Sequence, residues 1–176
     1  MALAKSKTHK IVCLDAFLCP VPKFSLLTPH EYVEYSNSSA DEVLERVKDA
    51  TIIITTRVAV NAATIAACPS LELIALMAIG FDIIDMDACR ARKLVVCNSP
   101  GASGEAVAEH AITLYFAVKR RVVDMHAVVM KGEEWLAKKS LFHLYPRLPT
   151  VCRNETMAIV GYGALGELAL AMAREV

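Results

Sequence analysis

The stretch MAIVGYGALG, residues 157–166, decides how the rest of the chain is read. Its first four residues are apolar and short, as expected of a buried strand. They run directly into Gly161-Tyr162-Gly163-Ala164-Leu165-Gly166, a G-x-G-x-x-G turn, and then into a helical pattern over 167–174. Strand, glycine turn and helix in that order point to a dinucleotide site, which the glycines alone would not. Gly161 allows the tight turn, Gly163 lets backbone N–H groups approach a pyrophosphate, and Gly166 lets helix and strand pack closely. The phosphates would sit at the helix N-terminus, where unpaired N–H groups and the helix dipole favour negative charge.

Upstream, the pattern alternates. Strands are expected at 10–14 (KIVCL), 32–35, 51–55 (TIIIT), 71–78 and 94–97 (LVVC), and helices at 39–48, 62–67 and 86–92. Ser39 with Glu42 three residues on forms a capping box, and Val43, Leu44 and Val47 would face inward. Asn61 and Asp85 are N-cap residue types. TIIIT is apolar throughout its centre, as in a strand buried on both faces. Pro20, Pro22 and Pro29 make the stretch after the first strand a loop. Repetition of strand and helix argues for parallel βαβ units in an open, doubly wound sheet with helices on both faces.

After Asn98-Ser99-Pro100-Gly101 the pattern changes. One long helix is expected over 103–130, with Ser103 as its cap and Glu105 in its first turn. Val107, Ala111, Leu114, Tyr115, Val118, Val122, Met125 and Val129 recur at three and four and predict its buried face. Lys119, Arg120 and Arg121 would form a solvated face opposite. Such a helix suits an interdomain connector and a dimer surface, and 133–154 reads as irregular. The fold class is therefore α/β: a flavodoxin-like parallel-sheet domain over 1–100, then the beginning of a Rossmann domain over 101–176.

Nineteen basic residues balance nineteen acidic ones, so there is no electrostatic case for nucleic acid. Residues 58–81 carry one charge, Glu72, but Asn61, Thr64, Pro69 and Ser70 divide them, so no membrane span is expected. Lys5, Lys7 and Lys10 precede no secretory apolar run. Six cysteines without a C-x-x-C, mostly in apolar runs, predict reduced thiols in a cytoplasmic compartment. No His or Cys spacing supports a metal site. Arg57 follows TIIITT at a strand's carboxyl end, where open sheets bind ligands, and is a candidate substrate contact. His110 reads as structural, because it lies beside Glu109 early in a helix.

Taken together, LELIALMAIGFDIID (71–85), LVVCNSPG (94–101), VAEH (107–110) and the glycine turn resemble the NAD-dependent D-isomer-specific 2-hydroxyacid dehydrogenases, the group that includes glycerate dehydrogenase and hydroxypyruvate reductase. The resemblance is strong from Thr51 onward and weak before it. It implies that residues 1–100 form the substrate domain and 101–176 an incomplete NAD-binding domain. It also implies that the loop at Ile79 and Gly80 binds the carboxylate of a small 2-keto or 2-hydroxy acid. Ser103 matches a polar position at the family's interdomain cleft. Gly161, Gly163, Ala164, Leu165 and Gly166 match the positions that hold the phosphates of NAD, with NADP not excluded. The family's substrate arginine, acid and catalytic histidine fall later than residue 176, so no catalytic residue is assigned and the chain reads as C-terminally truncated and inactive alone. The parent enzyme is expected to be a cytoplasmic homodimer. Two alternatives within this resemblance are a non-catalytic, dinucleotide-sensing corepressor-like module and a dimerisation partner.

Overall fold

The structure is a computed structural model that describes residues 8–18, 20, 21 and 23–175. The expectations at Lys5, Lys7, Cys19 and Pro22 lie outside the described residues. The chain divides into two compact units, residues 1–102 and 103–176.

The first unit is a five-stranded, wholly parallel sheet in the order β2-β1-β3-β4-β5. In chain order its elements are β1 (His9–Cys13), β2 (His30–Glu34), α1 (Ala40–Val47), β3 (Ile52–Thr55), α2 (Ala62–Ala67), β4 (Leu73–Leu76), α3 (Met86–Arg92) and β5 (Val95–Cys97). Local caps account for the helix starts. The Ser39–Glu42 box closes α1, Asn61 accepts from the Thr64 N–H at 2.9 Å, and Asp85 accepts from the Ala88 N–H at 2.9 Å. Arg92 of α3 reaches back to the end of α2 and donates to the carbonyls of Ile65, Cys68 (3.0 Å) and Pro69 (3.1 Å), which satisfies acceptors left over at a helix C-terminus.

Side chains alternate across the sheet, and the two faces differ. Val12, Leu14, Ile53, Ile74 and Leu76 point to one face and pack with Val43 and Val47 of α1, Ile65 of α2 and Cys89 of α3. Each fully buried Ile or Leu contributes about 2 kcal/mol by leaving water. The opposite face carries Ile11, Cys13 and Ile54, covered by Ala16, Val21, Phe24 and Tyr32. The three helices therefore share one face, against the expectation of helices on both. The reason is the direction of travel: β2→β3, β3→β4 and β4→β5 all step the same way across the sheet, and right-handed crossovers stepping one way land on one side. The reverse step, β1→β2, contains no helix. Leu44 is exposed beside its buried neighbours Val43 and Val47.

The second unit is helical: α4 (Gly104–Lys119), α5 (Val122–Lys131), α6 (Glu133–Lys138) and α7 (Ala164–Arg174), with short 3-10 turns at Phe142–Leu144 and Cys152–Asn154. The single helix expected over 103–130 is broken at Arg120–Arg121. Arg121 takes a left-handed conformation (φ 50°), which costs about 1–2 kcal/mol for a residue with a Cβ. Bonds from distant residues offset that cost. The Tyr145 hydroxyl donates to the Arg120 carbonyl at 2.7 Å, and the Arg121 guanidinium donates to the Leu144 carbonyl and to Asp124 (2.8 Å). Residues 133–138, expected to be irregular, form α6, supported by a Lys138–Glu134 pair at 2.8 Å.

The buried face of α4 is also not the expected one. Gly104 and Ala108 are buried, whereas Val107, Leu114, Val118, Val122 and Val129 are exposed. The small residues let α7 approach closely: a Cβ on Gly104 would lie 3.1 Å from Leu168 Cδ1. The segment 157–160, expected to be a buried strand, pairs with no strand, and Val160 is 100 % exposed. A strand exists only as part of a ladder, and no other strand occurs in this unit among the described residues.

Candidate functional site

Two places gather the sequence-predicted residues, one in each unit. In the first, the order 2-1-3-4-5 reverses direction between β1 and β3, and ligands of open α/β sheets bind at the carboxyl ends of strands beside such a switch point. Asp15, directly after β1, is fully buried there. Its carboxylate accepts the backbone N–H groups of Thr56 (2.9 and 3.0 Å), Arg57 (2.7 Å) and Val58 (3.3 Å). One side chain thus shapes the whole loop after β3 and fixes the backbone of Arg57, whose side chain is exposed. In the sequence, Asp15 is the residue at which the first apolar run, 10–14, ends. The usable signal was a carboxylate abutting an apolar strand at its carboxyl end.

The next loop, 77–82 after β4, is tied to its neighbours on both sides. Met77 N–H donates to Thr55 O (3.0 Å), and Val60 and Ile84 form a parallel bridge between the loops after β3 and β4. From the far side, Ser99 N–H donates to Ala78 O (2.9 Å) and Asn98 Nδ2 donates to Ile79 O at 2.7 Å. On that far side both ties take a carbonyl, those of residues 78 and 79. The N–H groups of Ile79 and Gly80 have no acceptor among the described residues, and both residues are exposed. A loop held by its carbonyls with its N–H groups bare is a receptor for an anionic oxygen. A Cβ at position 80 would stand 2.8 Å from Asp82 Oδ1, so a side chain there would require the Asp82 carboxylate to turn aside. Asn98→Ala is expected to lower stability by about 1 kcal/mol and to raise amide exchange selectively in 77–81. Unchanged exchange in that loop would show that Asn98 does not hold it.

In the second unit, Gly161 has φ 98°, a left-handed backbone that favours glycine. Gly163 caps α7 with extended backbone and no side-chain hydrogen bond. The N–H groups of Ala164, Leu165 and Gly166 in the first turn are therefore left without partners, as at every uncapped helix start. Gly166 passes directly under the Gly161 carbonyl, and a Cβ there would meet that oxygen well inside 3.0 Å. Over Gly163, by contrast, a Cβ would meet nothing within 4 Å. The result is a turn closed on its inner side and open on its outer side, beside a groove of about 520 Å³ lined in part by Val107, Ala111, Val160, Leu165 and Ala169.

Three further residues singled out by the sequence are Ser103, His110 and Lys119. Ser103 occupies the N-cap position of α4, but its backbone (φ −127°, ψ 11°) departs from the extended cap geometry, and its side chain makes no cap bond. His110 is exposed, with no side-chain bond among the described residues. Lys119 does not belong to a solvated face: its side chain is only 7 % exposed and pairs with Glu155 at 2.5 Å. Burial raises the thiols of Cys13, Cys68 and Cys89 above their ordinary value, so none is a ready nucleophile. Among the described residues, no helix is long and apolar enough to cross a membrane.

Comparison with known proteins places this geometry. The family profile described as D-isomer specific 2-hydroxyacid dehydrogenase, catalytic domain, matches residues 15–175. The chain is 33 % identical over 161 residues to a glycerate dehydrogenase of Methylorubrum extorquens, covering 91 % of this chain and 51 % of that protein. It is 32 % identical over 126 residues to a glyoxylate reductase of Thermococcus litoralis, covering 71 % and 38 %. The chain thus spans about half the length, or less, of the curated relatives it matches. The solved structure of an NADPH-dependent glyoxylate/hydroxypyruvate reductase from Sinorhizobium meliloti, in complex with citrate, shares its fold with a TM-score of 0.72 and 23 % identity, over 95 % of this chain and 51 % of that one. With a profile match across nearly its whole length, the chain belongs to the D-isomer-specific 2-hydroxyacid dehydrogenase family.

Proposed function

We propose that this chain carries the substrate-carboxylate loop and the dinucleotide phosphate loop of an enzyme that moves a hydride between NAD(P)H and a small 2-keto acid of the hydroxypyruvate, glyoxylate or glycerate kind. The observation that carries the reading is the glycine turn: Gly166 bare beneath Gly161, and the first-turn N–H groups of α7 open beside it. That arrangement fits a pyrophosphate and leaves no room for a side chain at the crossing. Residues 1–100 act as the substrate domain and 101–176 as the beginning of the dinucleotide-binding domain.

Within this reading the N–H groups of Ile79 and Gly80 hold the substrate carboxylate, and Asn98 and Ser99 keep that loop facing it. Arg57, aimed by the Asp15 anchor, adds positive charge at the same sheet edge. Gly161, Gly163, Ala164, Leu165 and Gly166 hold the phosphates through backbone N–H groups. The bound nicotinamide supplies or accepts the hydride; the protein's part is to orient the reactants. The 176-residue chain alone is expected to bind dinucleotide without turning over substrate. The five described cysteines are all free, which suits a cytoplasmic setting, and the full-length enzyme works as a homodimer.

Titration of the chain with NADH and, separately, NADPH tests the phosphate loop, and steady-state assay with hydroxypyruvate or glyoxylate tests the inactivity. Saturable binding with no turnover is the expected pair of results. Absence of binding to both dinucleotides would sink the phosphate-loop reading, and turnover in a preparation free of longer enzyme would sink the inactivity.

A further inference from the structure

A cluster of polar and charged groups stands just upstream of the glycine turn. Tyr115 and Lys119, one helical turn apart on α4, send their polar ends to the same carboxylate oxygen of Glu155. The Tyr115 hydroxyl donates at 2.6 Å and the Lys119 ammonium stands at 2.5 Å. The Thr150 hydroxyl donates to the other oxygen, and the ammonium lies 5.7 Å from the Tyr115 ring centre. Hydrogen bonds from Lys119 first, then Thr150 and Tyr115, pull the Glu155 carboxyl down to about 2. Burial pulls the Lys119 ammonium down, yet its bonds to Glu155 and Tyr115 outweigh that and leave it above its ordinary value. Each partner is therefore held in its charged form by the other.

The position of this cluster gives it a consequence. Glu155 stands two residues before 157–160, which reaches Gly161 with no ladder to hold it. That segment is tied at its start by Glu155 against α4 and at its finish by the pass of Gly166 under Gly161, with half-buried Ile159 packed between. Since α7 packs against α4 through Leu168 and Gly104, a closed ring results, running from α4 through Glu155, the segment, the glycine turn and α7 back to α4. Opening the ring at Glu155 would loosen the segment that leads into the turn while leaving the α4–α7 contact in place.

We infer that Lys119, Tyr115 and Glu155 form a clasp that positions the glycine turn for its dinucleotide. They are positioning residues, acting through the segment 157–160 and touching no ligand themselves. The inference rests on the phosphate-loop reading for its functional half, and its structural half stands apart. It also explains why a lysine of an apparently basic run is buried: its charge is spent on Glu155.

The test uses the 176-residue chain, Lys119→Met, Glu155→Gln and the charge-exchanged double variant Lys119→Glu/Glu155→Lys. Two quantities are read: the dissociation constants for NADH and NADPH, and the rate of limited proteolysis along 104–175, with cut sites mapped by fragment mass. The single variants are expected to weaken binding about tenfold, the scale of a typical coupling between sites. Cleavage should quicken about tenfold in 156–163 with little change in α4 and α7, and the double variant should recover part of both. Unchanged cleavage in 156–163 overturns the clasp, as does a rise that is equal throughout the unit, which marks general support only. Binding to neither dinucleotide by the unaltered chain removes the phosphate-loop reading and the functional half with it, and cleavage alone then decides the structural half.

Discussion

Replacing Gly166 by alanine is expected to destabilise the glycine-loop unit by about 3 kcal/mol or more, at the upper end of overpacking costs, and to weaken dinucleotide binding about a hundredfold. The cause is specific. The added Cβ would meet a backbone oxygen, that of Gly161, at a separation real Cβ atoms do not show. A flexible side chain could swing aside, but a carbonyl moves only if the turn moves. The turn would be driven away from the first turn of α7, where the free N–H groups are. Gly163→Ala provides the contrast. Its backbone lies at φ −101°, which any residue adopts, and its Cβ would meet nothing within 4 Å. That variant should keep its melting midpoint and lose affinity, because the methyl occupies the open side where phosphate would come. If Gly166→Ala melts and binds as the parent does, the close crossing of helix and turn is not what the sequence needs glycine for.

Replacing Asp15 by alanine should cost the first unit about 2–4 kcal/mol, the loss of two backbone hydrogen bonds to a buried carboxylate. The backbone N–H groups of Thr56 and Arg57 would lose their acceptor at once, while that of Val58 keeps the Thr55 hydroxyl at 3.1 Å. An unmet buried donor costs about 1–3 kcal/mol. For a unit of about 100 residues this lowers the thermal midpoint by roughly 15 °C, since each kcal/mol shifts it by several degrees. Asp15→Asn retains one acceptor oxygen and the shape of the side chain, so its loss should be smaller. Equal, small losses in both variants would show that water replaces the carboxylate and that Asp15 is no anchor.

Short-range chemistry was legible residue by residue. The Ser39–Glu42 box, the caps at Asn61 and Asp85, and the β-branched run TIIIT are each decided by neighbours within about four positions, and each element appears where those signals put it. The family likeness rested on the same kind of local run. What failed to show depended on partners far along the chain. The break at Arg121 needs Leu144 and Tyr145, and nothing between 103 and 130 announces it, because the apolar spacing continues straight across. The faces of α4 were misread for a related reason. Periodicity locates a stripe of large apolar residues, but the close packing with α7 selects the small ones, Gly104 and Ala108.

The sequence by itself determined the α/β class, the order of strands and helices, and the turn from Gly161 to Gly166, since backbone freedom and capping are properties of the residues on the spot. Only the tertiary structure decided which face of the sheet the helices cover, that Asp15 holds the loop of Arg57, and that Lys119 closes on Glu155. The last two join residues about 40 positions apart, and the free energy that selects them exists only once folding has brought the partners together.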